Sequence, residues 1–161
     1  LTHARCRIME DNDPVMAGTA DVCTLSEATL RVLIYLSTAG AQENAQADTA
    51  LALAHEVQAG NRRKGLTGLL LGNGSSYMQV LEGSPEAVGQ MFATVSRDPR
   101  HRALDVVLDQ PATERTFPDT AMLGLDLDAS PLDRRAAIEA LIPAGADRDV
   151  REKLLAFSVF D

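Results

Sequence analysis

Residues 65–83 constrain the fold more than any other stretch of this chain, because they predict a β-hairpin. Residues 66–71 are almost entirely apolar, and residues 77–81 form a second strand-like run. Between them, Gly-Asn-Gly at residues 72–74 tolerates the positive φ angles of a tight turn. Gln79 lies within the second run, and a buried amide without a partner costs roughly 1–3 kcal/mol. The hairpin therefore predicts either a polar group facing Gln79 or a position for Gln79 on the solvent side of the sheet.

The spacing of apolar residues around the hairpin predicts an α+β fold of the ferredoxin-like type. Its order is β-α-β-β-α-β-β, with one mixed sheet and two helices on one face. Asp48 or Thr49 can cap the first helix, Gly60 can end it, and Ser84-Pro85 begins the second. The predicted strands are residues 30–37, 66–71, 77–81, 104–108 and 120–127, and the predicted helices are residues 46–59 and a segment from residue 84 that residues 98–101 stop.

Two extensions flank the predicted core. Residues 1–29 hold few bulky apolar side chains and predict a loop or a poorly ordered N-terminal arm. Residues 30–127 form the predicted sheet domain, and residues 128–161 predict a helical extension with helices at 130–142 and 147–160. The last segment is too apolar for a free tail. We therefore expect its helices to cover the open face of the sheet or to contact a partner.

The charge and composition exclude several classes of function. With a formal net charge of −8 and a pI of about 4.8, the chain lacks the basic face of a nucleic-acid or lipid-surface binder. No apolar run approaches the roughly 20 residues of a membrane-spanning helix, and the first residues do not resemble a signal peptide. Cys6 and Cys23 allow one disulfide but show no metal-binding spacing. These features predict a reduced, cytoplasmic protein without metal.

Four neutral side chains are expected to meet between the two helices. The first and third strands are neighbours in this fold, which places Tyr35 near Gln79, while Asn61 follows the first helix and Met122 lies in the last strand. Taken singly, they are more simply explained as core or turn residues. Together, a phenol, two amides and a thioether offer hydrogen bonds and an apolar wall without an acid, base or metal ligand. Such a set suits a flat heteroaromatic ring better than hydrolysis.

This combination resembles the BLUF family of flavin-binding blue-light sensors, over about residues 30–126. The resemblance is carried by LIYLSTA at residues 33–39, NRRKGLTGLLL at 61–71, QVLEG at 79–83, DPRH at 98–101, RTF at 115–117 and Met122. It implies a blue-light photoreceptor that is not an enzyme and that signals to a downstream protein partner. It also implies FAD as the cofactor, with FMN or riboflavin as alternatives.

The resemblance implies a role for each of the four side chains. Tyr35 matches the tyrosine that gives an electron and a proton to the excited flavin. Gln79 matches the glutamine whose rearrangement, by rotation or by tautomerisation, causes a small red shift of absorption. Asn61 matches the asparagine at the carbonyl edge of the flavin, and Met122 matches the methionine that passes the change on.

The resemblance also implies a role for three residues between the second helix and the fourth strand. Asp98, Arg100 and His101 match the segment near the ribityl and phosphate part of the flavin, where the fork of Arg100 can bond two oxygens.

Two other functions stay open: a degenerate interaction module that binds no flavin, and a flavin-dependent oxidoreductase. The open sheet face and the apolar C-terminus also predict a homo-oligomer, at least a dimer.

Three positions depart from the usual pattern of the family. Gly60 stands where many relatives have a second asparagine, and Val57 stands where a polar residue often faces the flavin. Thr120 replaces a frequent tryptophan, which removes a competing electron donor. We still expect flavin binding and a retained photocycle.

Overall fold

The computed structural model of the protein describes residues 30–40, 49–127 and 130–160. The predicted N-terminal extension at residues 1–29, the two cysteines within it and the start of the helix predicted at residues 46–59 lie outside the described residues.

Five strands and four α-helices are present in the described part of the chain. The strands are β1 (Leu30–Ala39), β2 (Thr67–Gly72), β3 (Ser76–Gly83), β4 (His101–Ala112) and β5 (Leu123–Asp126). The helices are α1 (Ala50–Arg63), α2 (Pro85–Val95), α3 (Pro131–Leu141) and α4 (Arg148–Ala156), followed by a 3-10 helix (Phe157–Val159). None of these helices is long and apolar enough to cross a membrane. Nor do the described residues bring together a group of acidic, histidine or cysteine side chains that could hold a metal ion.

The five strands form one mixed sheet in the order β4-β1-β3-β2-β5. Neighbouring strands are antiparallel, except that β2 and β5 run parallel. β1 and β3 are direct neighbours, and Tyr35 of β1 lies opposite Gln79 of β3. This arrangement confirms the predicted α+β, ferredoxin-like fold and the predicted pairing of the first and third strands.

Helices cover both faces of the sheet, so the sheet separates two apolar cores. On the α1/α2 face the strands bury Leu33 and Tyr35 against the two helices. On the α3/α4 face they bury Ile34 and Val80, together with Leu154 of α4. Successive side chains of a strand point to opposite faces, which explains why Tyr35 and Ile34 belong to different cores. The C-terminal helices therefore cover the open face of the sheet, one of the two placements that the sequence predicts.

The turn between β2 and β3 is closed by a side chain. Oδ1 of Asn73 accepts hydrogen bonds from the backbone nitrogens of Ser76, at 2.8 Å, and Ser75, at 3.2 Å. Gly74 has a φ of 90°, which a glycine adopts without the steric cost that a side chain would add. The turn thus fixes the register in which β3 presents Gln79, and it confirms the predicted hairpin.

Several element boundaries differ from the prediction, and three of the differences concern α1, β4 and β5. α1 continues through Gly60 to Arg63, because one glycine costs a helix only about 1 kcal/mol, and the chain reverses instead at Gly65, with a φ of 66°. β4 begins at His101 and is much longer than predicted. β5 begins only after Met122, since the backbone oxygen of Met122 bonds to a side chain of α1 rather than to β2.

Candidate functional site

Tyr35 and Gln79 form a buried pair at the centre of the sheet. Tyr35 has no exposed surface and Gln79 is 5% exposed. The Tyr35 hydroxyl donates a hydrogen bond to Oε1 of Gln79. Burial, and then the negative charge of Asp98, raise the pKa of Tyr35 far above its usual value, so the phenol stays protonated and acts as the donor. The structure thus supplies a polar partner for Gln79, one of the two alternatives that the sequence left open, and excludes a position on the solvent side.

Met122 joins this pair from the segment that leads into β5. Its side chain is fully buried, and its Sδ lies 3.9 Å from Nε2 of Gln79. Nε2 of Gln58, on α1, donates to the backbone oxygen of Met122 at 2.8 Å. Gln79 therefore contacts the phenol of Tyr35 through its oxygen and the thioether of Met122 through its nitrogen. A rearrangement of the amide would change both contacts.

Asn61 lies in the last turn of α1 and is completely buried. Its Nδ2 donates to the backbone oxygen of Ala121 at 3.1 Å. Its Oδ1 has no hydrogen-bond partner, and it is the only buried side-chain nitrogen or oxygen of which this holds in the described part of the chain. Because an unsatisfied buried acceptor costs roughly 1–3 kcal/mol, Asn61 indicates a place where a ligand donates a hydrogen bond.

The surroundings of these polar groups are apolar. The ring of Phe92 on α2 lies edge-on to Tyr35, with 5.3 Å between the ring centroids. The same core contains apolar side chains of both helices: Leu53, Ala54, Val88 and Met91, with Val57 packed against it. Low polarity strengthens the few hydrogen bonds that are present, and it suits a flat ring held by its edge.

Arg100, predicted to lie near a phosphate, is held by two carboxylates. Its guanidinium lies 2.7 Å from Asp98 and 2.8 Å from Glu56 of α1, so the pair with Glu56 ties the α2–β4 connection to α1. The hydrogen bonds from Arg100 lower the pKa of both acids and raise that of Arg100. His101 is buried, with Nδ1 2.9 Å from Oγ of Ser37 on β1. Asp98, Arg100 and His101 thus lie in one segment, beside α1 and β1.

Sequence reasoning did not single out three side chains that shape this region. Gln58 and Glu56 contact Met122 and Arg100 from α1, and Glu82 of β3 is a fully buried carboxylate. A signal for Glu82 was present, because a charged residue in the buried run of residues 77–83 requires partners. The two α1 side chains carried no such signal, since their partners lie 44 and 64 residues away.

Two open clefts lie away from the Tyr35–Gln79 pair. A cleft of about 760 Å³ lies between the β4–β5 connection and the α3–α4 connection, lined by Glu114 and Asp147 among others. A second, of about 370 Å³, is lined by Arg62, Arg115 and Asp119 among others. Neither of these two clefts is lined by Tyr35, Gln79 or Met122.

The buried donors and acceptors fit the flavin that the sequence resemblance implies. Oδ1 of Asn61 can accept from the ring imide N–H, and the Gln79 amide has N–H donors for a ring nitrogen or carbonyl. The apolar walls suit the faces of the ring. Arg100 offers a guanidinium for a phosphate, in competition with Glu56 and Asp98.

Comparison with known proteins gives one consistent result. The sequence model of the family described as BLUF, sensors of blue-light using FAD, matches residues 30–123. The photoactivated adenylate cyclase subunit alpha of Euglena gracilis is 33% identical over 102 residues, which are 63% of this chain and 10% of that protein. The chain thus spans about a tenth of the length of the curated relatives that it matches.

Solved structures agree with the sequence match. The structure named BlrP1 BLUF has a TM-score of 0.69 and 29% identity, over 81% of this chain and 90% of that chain. The Klebsiella pneumoniae BlrP1 with FMN and cyclic diGMP has a TM-score of 0.67 and 32% identity, over 80% of this chain and 34% of that chain. Both similarities extend over about four fifths of this chain.

Proposed function

The chain belongs to the BLUF family of blue-light sensors, and from that premise we propose that Tyr35, Gln79 and Met122 form its light-driven switch. The domain is a flavin-binding sensor of blue light. The observation that carries the assignment of residues is the buried hydrogen bond from the Tyr35 hydroxyl to Gln79, with the Met122 thioether on the other side of the same amide.

We propose that the flavin is held by its edges between α1 and α2. Asn61 accepts from the ring imide through Oδ1, and Gln79 donates through Nε2. Asp98, Arg100 and His101 serve the ribityl and phosphate part, where Arg100 exchanges a carboxylate for a phosphate. When bound, the flavin supplies the absorption of blue light and an excited state that accepts an electron.

The three residues of the switch act in sequence. Tyr35, kept neutral by burial in darkness, would give one electron and the proton on its hydroxyl oxygen to the photoexcited flavin, and would recover both before the dark state returns. Its hydrogen bond to Oε1 of Gln79 is lost for that moment. The amide of Gln79 then rearranges, by rotation or by tautomerisation, and its hydrogen bonds to its neighbours change. Met122, in contact with that amide, carries the change into the segment that precedes β5.

The choice between FAD and FMN, and the kind of partner, are inferred from the family and its relatives. FAD is the proposed cofactor, after the name of the family, and FMN is the alternative, since the Klebsiella relative is named with FMN. The relatives named photoactivated adenylate cyclases support a sensor that signals to an effector rather than an enzyme in its own right. The homo-oligomer and the cytoplasmic location stay predictions.

Absorption spectra before and after a blue flash test this proposal. We expect the purified protein, supplied with FAD, to show a flavin band that shifts slightly to the red and recovers in darkness. Tyr35→Phe and Gln79→Leu should each retain the yellow colour and lose the shift, because each removes one end of the hydrogen bond that the switch uses. Tyr77→Phe, the other buried tyrosine, is the matched control and should cycle normally.

Other outcomes of these spectra would contradict the assigned roles or favour one of the two alternative functions. A normal photocycle in Tyr35→Phe would contradict the role of Tyr35 as donor, and one in Gln79→Leu would contradict the whole site. Protein that stays colourless after FAD is supplied would favour an interaction module without flavin. Flavin that is reduced by an added substrate, without a reversible red shift, would favour an oxidoreductase.

A further inference from the structure

Residues 120–122 have three successive backbone oxygens, each bound by a group from outside the segment. The oxygen of Thr120 accepts from the backbone nitrogen of Gly68 on β2, at 3.0 Å. The oxygen of Ala121 accepts from Nδ2 of Asn61, and that of Met122 from Nε2 of Gln58. We call these three bonds the carbonyl clamp.

The carbonyl clamp holds the backbone of residues 120–122, whereas strand pairing with β2 holds residues 123–126. Pairing between β2 and β5 begins only at Leu123, opposite Leu69, and the backbone oxygen of Met122 bonds to Gln58 of α1. Two of the three donors are side chains of α1. A side-chain bond to residues 121–122 can be lost while the pairing of β2 with β5 keeps its register.

The three hydrogen-bond donors of the clamp differ in their other contacts. Asn61 also offers Oδ1 to the candidate flavin site, and the Gly68 bond is made by the backbone. Gln58 is half-buried, and its amide nitrogen bonds to Met122 itself, whose Sδ lies against Gln79. Gln58 is therefore the side chain of the clamp that holds Met122 directly.

We propose that Gln58 is a positioning residue that keeps the Met122 thioether against Gln79 in darkness and sets the lifetime of the lit state. The inference rests on the proposed function, since it assigns a residue to the same switch. Gln58 acts through the backbone of Met122. Loss of its bond favours arrangements in which the thioether has left Gln79, so the return to the dark arrangement becomes slower.

Two variants remove the donated bond in different ways. Gln58→Glu keeps the shape, but its carboxylate at neutral pH has no N–H for the Met122 oxygen. Gln58→Met keeps the length and removes all polarity, so it carries the test if the charged variant does not fold. Gln90→Glu is the matched control, because Gln90 is an exposed glutamine on α2 that contacts Glu86 one turn away.

The first measurement is the methyl NMR spectrum of the flavin-loaded protein in darkness, with the methionines labelled. The chain has five methionines, and Met122→Leu identifies the signal of Met122. We expect a single narrow Met122 signal in the wild type and in Gln90→Glu. In both Gln58 variants we expect that signal to move or split, while those of Met78 and Met91 stay in place.

The second measurement is the rate of dark recovery after a blue flash. A single hydrogen bond corresponds to a change of about three- to tenfold in rate, and we expect recovery in both Gln58 variants to be slower by that factor. Unchanged recovery and an unchanged Met122 signal in either folded variant would overturn the role of Gln58. A wild type with no red shift would instead overturn the proposed function, so the two failures are distinguishable.

Discussion

At the scale of single residues, Glu82 shows how β3 is connected to the chain that leads to Met122. The side chain is fully buried on the strand that also carries Gln79. Oε1 accepts from the backbone nitrogen of Thr116 at 2.7 Å, and Oε2 from that of Phe117 at 2.9 Å. A buried carboxylate is tolerated when its oxygens are satisfied in this way, so Glu82 fixes the β4–β5 connection to the central sheet.

Glu82→Gln should lower the free energy of unfolding by about 1–3 kcal/mol. The amide keeps one acceptor oxygen, but its NH₂ group then faces a buried backbone N–H that has lost its partner. Urea unfolding followed by circular dichroism measures the change. Glu114→Gln, at an exposed position of the same connection, is the control and should stay within about 0.5 kcal/mol of the wild type. Equal stability of the two variants would contradict the anchoring role of Glu82.

The residues of the site were predictable from the sequence to different degrees. The sequence predicted either a polar partner or a solvent-side position for Gln79, and the predicted order of strands brought Tyr35 near it. The structure contains that pair. The contacts of Gln58 and Glu82 depend on which backbone groups the β4–β5 connection offers. Such contacts between distant residues of an irregular segment leave no periodic pattern, so sequence reasoning could not supply them.

At the scale of elements, the end of α1 explains why boundaries were harder to predict than the elements themselves. Gly60 offers the same freedom as Gly65, and the two glycines lie at either end of the polar run at residues 61–64. The helix nevertheless passes through Gly60, because the buried Asn61 of its last turn bonds to the segment before β5. Gly65 takes up the reversal, with a φ of 66°. Tertiary contacts of Asn61, not local preference, decide between the two glycines.

The two glycines should therefore respond to alanine in opposite directions. A Cβ at either position would meet nothing within 4 Å, so only the backbone distinguishes them. Gly60→Ala should stabilise the protein by about 0.5–1 kcal/mol, since alanine favours the helix. Gly65→Ala should destabilise it by about 1–2 kcal/mol, because it forces an L-residue into the left-handed region. Urea midpoints that move in the same direction for both variants would contradict this account.

At the scale of the whole molecule, the sheet links the switch to the C-terminal helices. Strands β1 and β3 bury alternate side chains in the two cores, Tyr35 and Gln79 towards α1 and α2, and Ile34 and Val80 towards α3 and α4. Unfolding of either core would expose strands whose other face is buried in the second core. The sequence predicted residues 128–161 as a helical extension of residues 30–127, and the packing of α3 and α4 on the sheet predicts one cooperative unit for the described part of the chain.

Leu154→Ala tests whether the two faces unfold together. Leu154 is fully buried on the α3/α4 face, so the substitution should cost about 2–5 kcal/mol and lower the melting temperature by about 5–15 °C. Flavin release and loss of helical circular dichroism should shift together, because the strands are shared. Leu132→Ala, on the exposed side of α3 at 79% exposure, should leave both transitions in place. If flavin release stays at the wild-type temperature while the helical signal is lost earlier, α3 and α4 form a separate unit and the coupling through the sheet is absent.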